Sequence, residues 1–263
     1  MLQYKYHIER EVNNMKYYIT SDIHGFYDEL NKALQDSGYY EDTTPHKLVI
    51  LGDLFDRGNQ AKELQEFVLK LMEKDEVILI RGNHEDLFQE LATVDQGKAY
   101  SYHVNNGTYD TALQLTGYGP VMARTNRDKF AEAMRETPLF RQIIPLMKNY
   151  YETPNYVFTH AWIPCIRERN GRYSHYSTWR EATADEWASA RWINGIDAAQ
   201  HASDDKTVIC GHWHASYGHS VYEGKGSEFG EDADFSPYYG PGIIAIDACT
   251  AHSKKVNVII IED

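Results

Sequence analysis

The hydrophobic positions of the chain fall into short apolar runs, and between them lie segments whose apolar residues recur at helical spacing. Lys16 to Thr20 reads as a short strand, and Leu30, Ala33 and Leu34 after it share one helix face. Lys47 to Leu51 is a second run, after which Leu64, Phe67, Val68, Leu71 and Met72 recur three and four apart. Val77 to Ile80 is a third, followed by Leu87 and Leu91 on a helix. Strands that alternate with helices predict βαβ units. The expected fold is therefore α/β, with a mostly parallel β-sheet core flanked by helices.

Tyr156 to Thr159, Thr207 to Cys210, Ile243 to Asp247 and Val256 to Ile261 are the remaining strand candidates. From about Asp86 to Pro154 the rhythm breaks into a stretch rich in Tyr, Asn, Gly and Thr, with helical pieces near Phe130 to Met134 and Ile143 to Tyr150. Residues 86–154 are expected to be a substrate-side insertion in a single domain spanning 15–263. Residues 1–14 precede the first strand and read as an N-terminal extension without catalytic content.

Hydrophobic residues make up 42% of the 263 and charged residues 25%, as in a globular protein that buries a sizeable core. The longest apolar runs, such as Val256 to Ile261, are far short of a membrane span. The first residues carry His7, Glu9, Arg10 and Glu11 and lack the apolar core of a secretory signal. Cys165, Cys210 and Cys249 are too few and too scattered for a disulfide framework or a thiolate cage. A reducing cytoplasm is the expected setting, with no membrane partner. The formal charge of −13 opposes binding to phosphate backbones, so no nucleic-acid partner is expected.

Each strand candidate is followed at once by polar residues of one chemical kind: Asp22 and His24, Asp53 and Asp56, Asn83 and His84, His160, then His212 and His214. In open α/β sheets ligands bind at the carboxyl ends of the strands, which predicts one shared pocket. Singly, these residues also fit turns, helix caps or a satisfied interior histidine. Their recurrence at successive strand ends is what those readings leave unexplained. The mixed oxygen and nitrogen donors suit Mn, Fe or Zn better than calcium, and the absence of thiolates argues against a structural zinc site. Two adjacent cations repel and need an anion between them; Asp53 is the natural bridge.

Asp22-Ile23-His24-Gly25, Gly52-Asp53-Leu54-Phe55-Asp56-Arg57-Gly58 and Arg81-Gly82-Asn83-His84-Glu85 resemble the three signatures of the calcineurin-like metallophosphoesterases. The Arg57 and Arg81–Glu85 features are similar to the phosphoprotein phosphatase branch, which includes serine/threonine phosphatases, the phage lambda phosphatase and symmetrical diadenosine tetraphosphate hydrolases. Thr159-His160-Ala161 and Gly211-His212 fall where the family has its later histidine ligands. The resemblance implies a metallophosphoesterase-like fold with a dinuclear metal site. Asp22, His24 and Asp53 would hold one divalent ion, and Asp53, Asn83, His160 and His212 the other, with Mn the expected metal. For His214 the resemblance points both ways, since wider metallophosphoesterases use the second histidine of a Gly-His-x-His pair and the phosphatase branch often has none there.

In such a site the two ions activate a water for in-line attack on phosphorus. His84 is expected as general acid, Asp56 as the group that fixes its tautomer, and Arg57 as a bidentate phosphate ligand, with a surface salt bridge as the alternative for Arg57. Arg191 is the candidate for a second phosphate-binding arginine, although its stem can equally pack on Trp187 or Trp192. Asn106 lies in Asn105-Asn106-Gly107-Thr108, which resembles a substrate-side stretch of lambda-like and tetraphosphate-hydrolase relatives and also fits a plain turn.

The leading expectation is a phosphomonoesterase of the serine/threonine protein phosphatase type, acting on a phosphorylated protein or nucleotide. The alternative is a dinucleoside polyphosphate hydrolase, because Gly211-His212-Trp213-His214-Ala215-Ser216 is similar to the Gly-His-Trp-Ala-Ser run of those enzymes with one residue more. A non-catalytic binding scaffold on the same fold would lack a ligand or the general acid, and this sequence retains them all.

Overall fold

A computed structural model describes residues 15–93, 100–201 and 204–263; the expected extension over residues 1–14 lies outside the described residues. In β1 (Lys16–Thr20) successive side chains point to opposite faces. Tyr17 and Ile19 enter one apolar cluster and Tyr18 another. The same alternation runs through β2 (His46–Ile50), where Val49 joins Ile19 while Leu48 and Ile50 join Tyr18. β3 (Val77–Leu79) completes a parallel trio with β1 and β2. A second group comprises β4 (Tyr150–Glu152), β5 (Tyr156–Thr159), the small hairpin β6 (Cys165–Arg167) and β7 (Tyr173–His175), then β8 (Thr207–Cys210), β9 (Tyr238–Gly240) and β10 (Ile243–Ala245).

The core is two sheets rather than one. The first runs β11-β1-β2-β3, where β11 (Ile259–Glu262) returns antiparallel to β1. The second runs β4-β5-β8-β10-β9, with β5, β8 and β10 parallel and antiparallel strands at both edges. Ile19, Val49, Ile78 and Ile80 of the first half meet Phe158, Ile209, Ile244 and Ile246 of the second in one buried layer. Each such side chain contributes about 1.5–3 kcal/mol on burial. Continuous apolar strands predict two covered faces, and here one face of each sheet is covered by the other sheet. The helices Tyr27–Asp36 and Ala61–Glu73 cover the outer face of the first, burying Leu30, Leu34, Leu64 and Val68. Trp162, Trp179 and Trp187 cover the second.

The segment after β3 is helical: Asn83–Thr93, Tyr100–Asn106, Thr108–Thr116, Pro120–Thr125 and Arg127–Arg135. The helix expected to reach Tyr150 stops early. A π-helical turn at Leu139–Ile143 runs into Ile144–Leu146, after which the chain extends. The Lys148 N–H then donates to Leu79 O, and Tyr150 opens β4. The last strand starts at Ile259 rather than Val256, because the Asn257 side chain donates to Phe235 O and Ile246 O, outside any ladder. No described helix is long and apolar enough to cross a membrane. Both sheets share the interior layer.

Candidate metal centre

Nine described non-glycine residues have left-handed backbone, and six of them are Asp22, His24, Asp53, Asp56, Arg57 and His212. Each such residue costs of order 1–3 kcal/mol and persists only where its surroundings impose it. Here it turns the chain sharply after three strands, β1, β2 and β8, and swings their side chains toward one point. Two glycines let the carboxylates in. A Cβ on Gly82 would collide with the Asp53 carboxylate, and one on Gly211 with that of Asp22.

Asp22, His24, Asp53, Asn83, His84 and His160 are all at most 3% exposed, and His212 is half-buried. Asp53 lies between the two halves. Its Oδ2 is 3.8 Å from His24 Nε2, and its Oδ1 is 3.4 Å from His160 Nε2. Ligand atoms of His24, Asp53 and His84 converge in one group, and those of Asp53, His160 and His212 in a second. The His212 N–H donates to Asp22 Oδ2 at 2.9 Å, which ties the last motif to the first.

Polar groups this deeply buried need compensation. His24 Nδ1–H donates to Phe55 O at 2.9 Å and His160 Nδ1–H to Leu51 O at 2.7 Å, so each neutral ring turns an Nε2 lone pair inward. The His160 lone pair faces Asn83 Oδ1 at 2.8 Å and Asp53 Oδ1 at 3.4 Å, three acceptors with no proton among them. A cation resolves that convergence. The electrostatics agree: burial holds His24, His160 and His212 below the usual imidazole pKa, His212 at about 3, which keeps them neutral donors of electron pairs. Burial followed by Asp247 and Asp53 pushes Asp22 up. The donor set fits divalent metal ions.

Beside this cluster, His84 Nδ1–H donates to Asp56 Oδ2 at 2.6 Å, leaving Nε2 directed at the cleft, 3.2 Å from Arg57 Nη2. Burial disfavours the imidazolium, yet Asp53 and Asp56 outweigh it and raise the His84 pKa. Asp56 Oδ2 also accepts from Thr108 Oγ1 at 2.7 Å, and its backbone N–H donates to Thr111 Oγ1 at 2.9 Å. Gly107, at φ +87°, lies so close to the Arg57 backbone that no side chain fits between them. Arg57 is exposed and donates from Nη1 to His24 Nε2 at 2.8 Å.

Three further expected site residues are held by partners outside the two convergent groups. Arg191 is buried and donates to Asp86 Oδ2 at 2.7 Å and to Asn149 Oδ1 at 3.0 Å. His214 Nε2 meets Glu228 Oε1 at 2.6 Å and its ring packs on Phe229, outside both convergent groups. The Asn106 amide donates to Tyr102 O one helical turn back, so in the Asn105–Thr108 stretch it is Gly107 and Thr108 that reach the site.

Two carboxylates escaped the sequence reading. Glu85, 1% exposed, accepts the N–H groups of Asp53, Leu54 and Gly82 at 2.8–3.0 Å and so locks the second motif onto the third; burial and Asp53 push its pKa up to about 7 against those donors. Asp247 follows β10 and burial pushes it up to about 7 as well. It obeys the strand-end pattern of the other motifs, and that pattern was the signal for it.

Residues 15–246 match the family model for calcineurin-like phosphoesterases. A bis(5'-nucleosyl)-tetraphosphatase, asymmetrical, of Bacillus velezensis is 35% identical over 133 residues, covering 48% of this chain and 51% of the relative, so the match spans about half of that protein. A relative of the same name from Oceanobacillus iheyensis is 26% identical over 75% of this chain and 77% of its own. A cold-active protein-tyrosine phosphatase of a psychrophilic Shewanella species superposes with a TM-score of 0.53 at 17% identity, over 95% of this chain and 77% of that one, which shows a shared fold.

Proposed function

Because the chain belongs to the calcineurin-like phosphoesterase family and is thus a phosphoester hydrolase, we propose that it cleaves nucleoside polyphosphates, dinucleoside tetraphosphates above all, at a centre of two divalent metal ions. Asp22, His24 and Asp53 hold one ion; Asp53, Asn83, His160 and His212 hold the other. Manganese is the proposed metal, on the mixed carboxylate, amide and imidazole donor set. The bound ions supply Lewis acidity and an activated water.

The remaining work falls to side chains. Arg57 is exposed and free to move from His24 Nε2 to the phosphoryl oxygens, which its planar fork matches. His84 delivers a proton from Nε2 to the leaving oxygen, while Asp56 holds the opposite face of the ring and stabilises the charge on it. Arg191 fixes Asp86 near the start of the same helix and is proposed to act on the phosphate through that placement. Three unpaired cysteines support a cytoplasmic setting.

The observation that carries the nucleotide reading is the alignment over three quarters of the chain with a protein named as a tetraphosphatase. A serine/threonine phosphatase-like activity is the second reading, favoured by Arg57 and the Arg81–Glu85 string. Parallel measurement of kcat/KM on diadenosine tetraphosphate and on a phosphoserine peptide, with Mn, separates the two. The dinucleotide is expected to be favoured by tenfold or more, about 1.4 kcal/mol of transition-state binding. Preference for the peptide would overturn the nucleotide reading.

A further inference from the structure

Trp192 is the surface exception among its neighbours. Trp162, Trp179 and Trp187 are at most 2% exposed, whereas Trp192 is 45% exposed and stands edge-on to His212 with ring centroids 5.9 Å apart. It lines a groove of about 610 Å³ together with Tyr102, also 45% exposed, and with Arg81, Asp86, Gln89 and Thr93. Helix Asn83–Thr93 runs from the metal centre into this groove: Asn83 and His84 belong to the centre, and Asp86, Gln89 and Thr93 line the groove. At 1.5 Å per residue, Asn83 and Gln89 are about 9 Å apart along the axis. The groove therefore lies beside the proposed metal centre, joined to it by Trp192 against His212 and by the shared helix.

We propose that this groove is the nucleoside subsite of the centre, with the Trp192 ring stacking on the base attached to the reacting phosphate and Tyr102 forming a second aromatic wall. The proposal rests on the nucleotide reading above and names the residues that recognise the substrate. Two exposed aromatic rings lining one groove suit a flat heteroaromatic ring better than an extended peptide, and every base offers a π-face. Arg81 spends Nε on Asp86 and one terminal nitrogen on Gln89, and its other donors remain to hold phosphate or a base edge. Arg81 faces Asp86 and Glu90 in the same lining, so recognition there rests on the two aromatic rings and on hydrogen bonding rather than on net charge.

The test compares AMP with inorganic phosphate as inhibitors of p-nitrophenyl phosphate hydrolysis by the Mn-loaded protein. The readout is the ratio of the AMP to the phosphate inhibition constant, which cancels any change in the metal centre common to both. Base stacking is worth about 1–3 kcal/mol, so Trp192→Ala is expected to raise that ratio about 5- to 150-fold, and Trp192→Phe to restore most of it. A parallel rise in both constants would show that Trp192 merely holds His212, and an unchanged ratio would show that no base stacks there; either result overturns the proposal. Should the ratio respond while the parent protein prefers the phosphopeptide, the subsite stands and the dinucleotide reading falls.

Discussion

The Thr108 hydroxyl donates to the Asp56 carboxylate at 2.7 Å across 52 residues of chain. Asp56 in turn orients His84, so the helical segment after β3 reaches the proposed general acid through one hydroxyl. Thr108→Val keeps the shape and removes the donor. We expect kcat on alkyl phosphates to fall about tenfold, the lower range for partners of site residues, with a smaller loss on activated aryl phosphates. Equal losses on both classes of ester would show that Thr108 supports the site only through packing.

His84 can be assigned by the same series of esters. Its Nε2 falls within the first convergent group, 3.9 Å from Asp53 Oδ2, and its Nδ1 is held by Asp56. As the general acid, His84→Asn should cut turnover of poor leaving groups by about 10²–10⁴ while both metals stay bound. Asp53→Asn, assayed beside it by elemental analysis, should lose metal at both positions. Metal loss from the His84 variant, with a rate deficit independent of leaving group, would instead make His84 a ligand.

Glu85 ties two motifs together through three backbone N–H groups. Glu85→Gln replaces one acceptor oxygen with an NH₂ that confronts buried donors. Thermal unfolding should register a loss of about 1–3 kcal/mol, the cost of leaving such groups unsatisfied. An unchanged midpoint would mean that the backbone turns hold without it.

Much of this was legible because each motif is contiguous and closes an apolar run. Asp22, Asp53, Asn83 and His160 could be placed at strand ends, and hence near one another, without knowing how the strands pair. The pairing itself was not legible. Val49 and Ile209 read the same whether a helix or a second sheet covers them, and only the tertiary structure stacks one on the other. Helices Tyr100–Asn106 and Thr108–Thr116 were hidden because several of their buried positions are polar, His103, Thr108 and Thr111 among them. The commitment of Arg191 to Asp86, 105 residues away, leaves no mark on the local sequence. Nor does the contact of His214 with Glu228, which a Gly-His-x-His spacing cannot foresee.

The proposed ligands are drawn from both sheets, Asp53 and Asn83 from one side and His160 and His212 from the other. An ion shared among them is a rivet as well as a reagent. Binding only the folded state stabilises it by mass action, about 2.7 kcal/mol when free metal exceeds its dissociation constant a hundredfold. Under metal starvation the cell would then lose more than catalytic turnover. The protein would open more often, meet proteases in that state, and fall in abundance along with the metal supply.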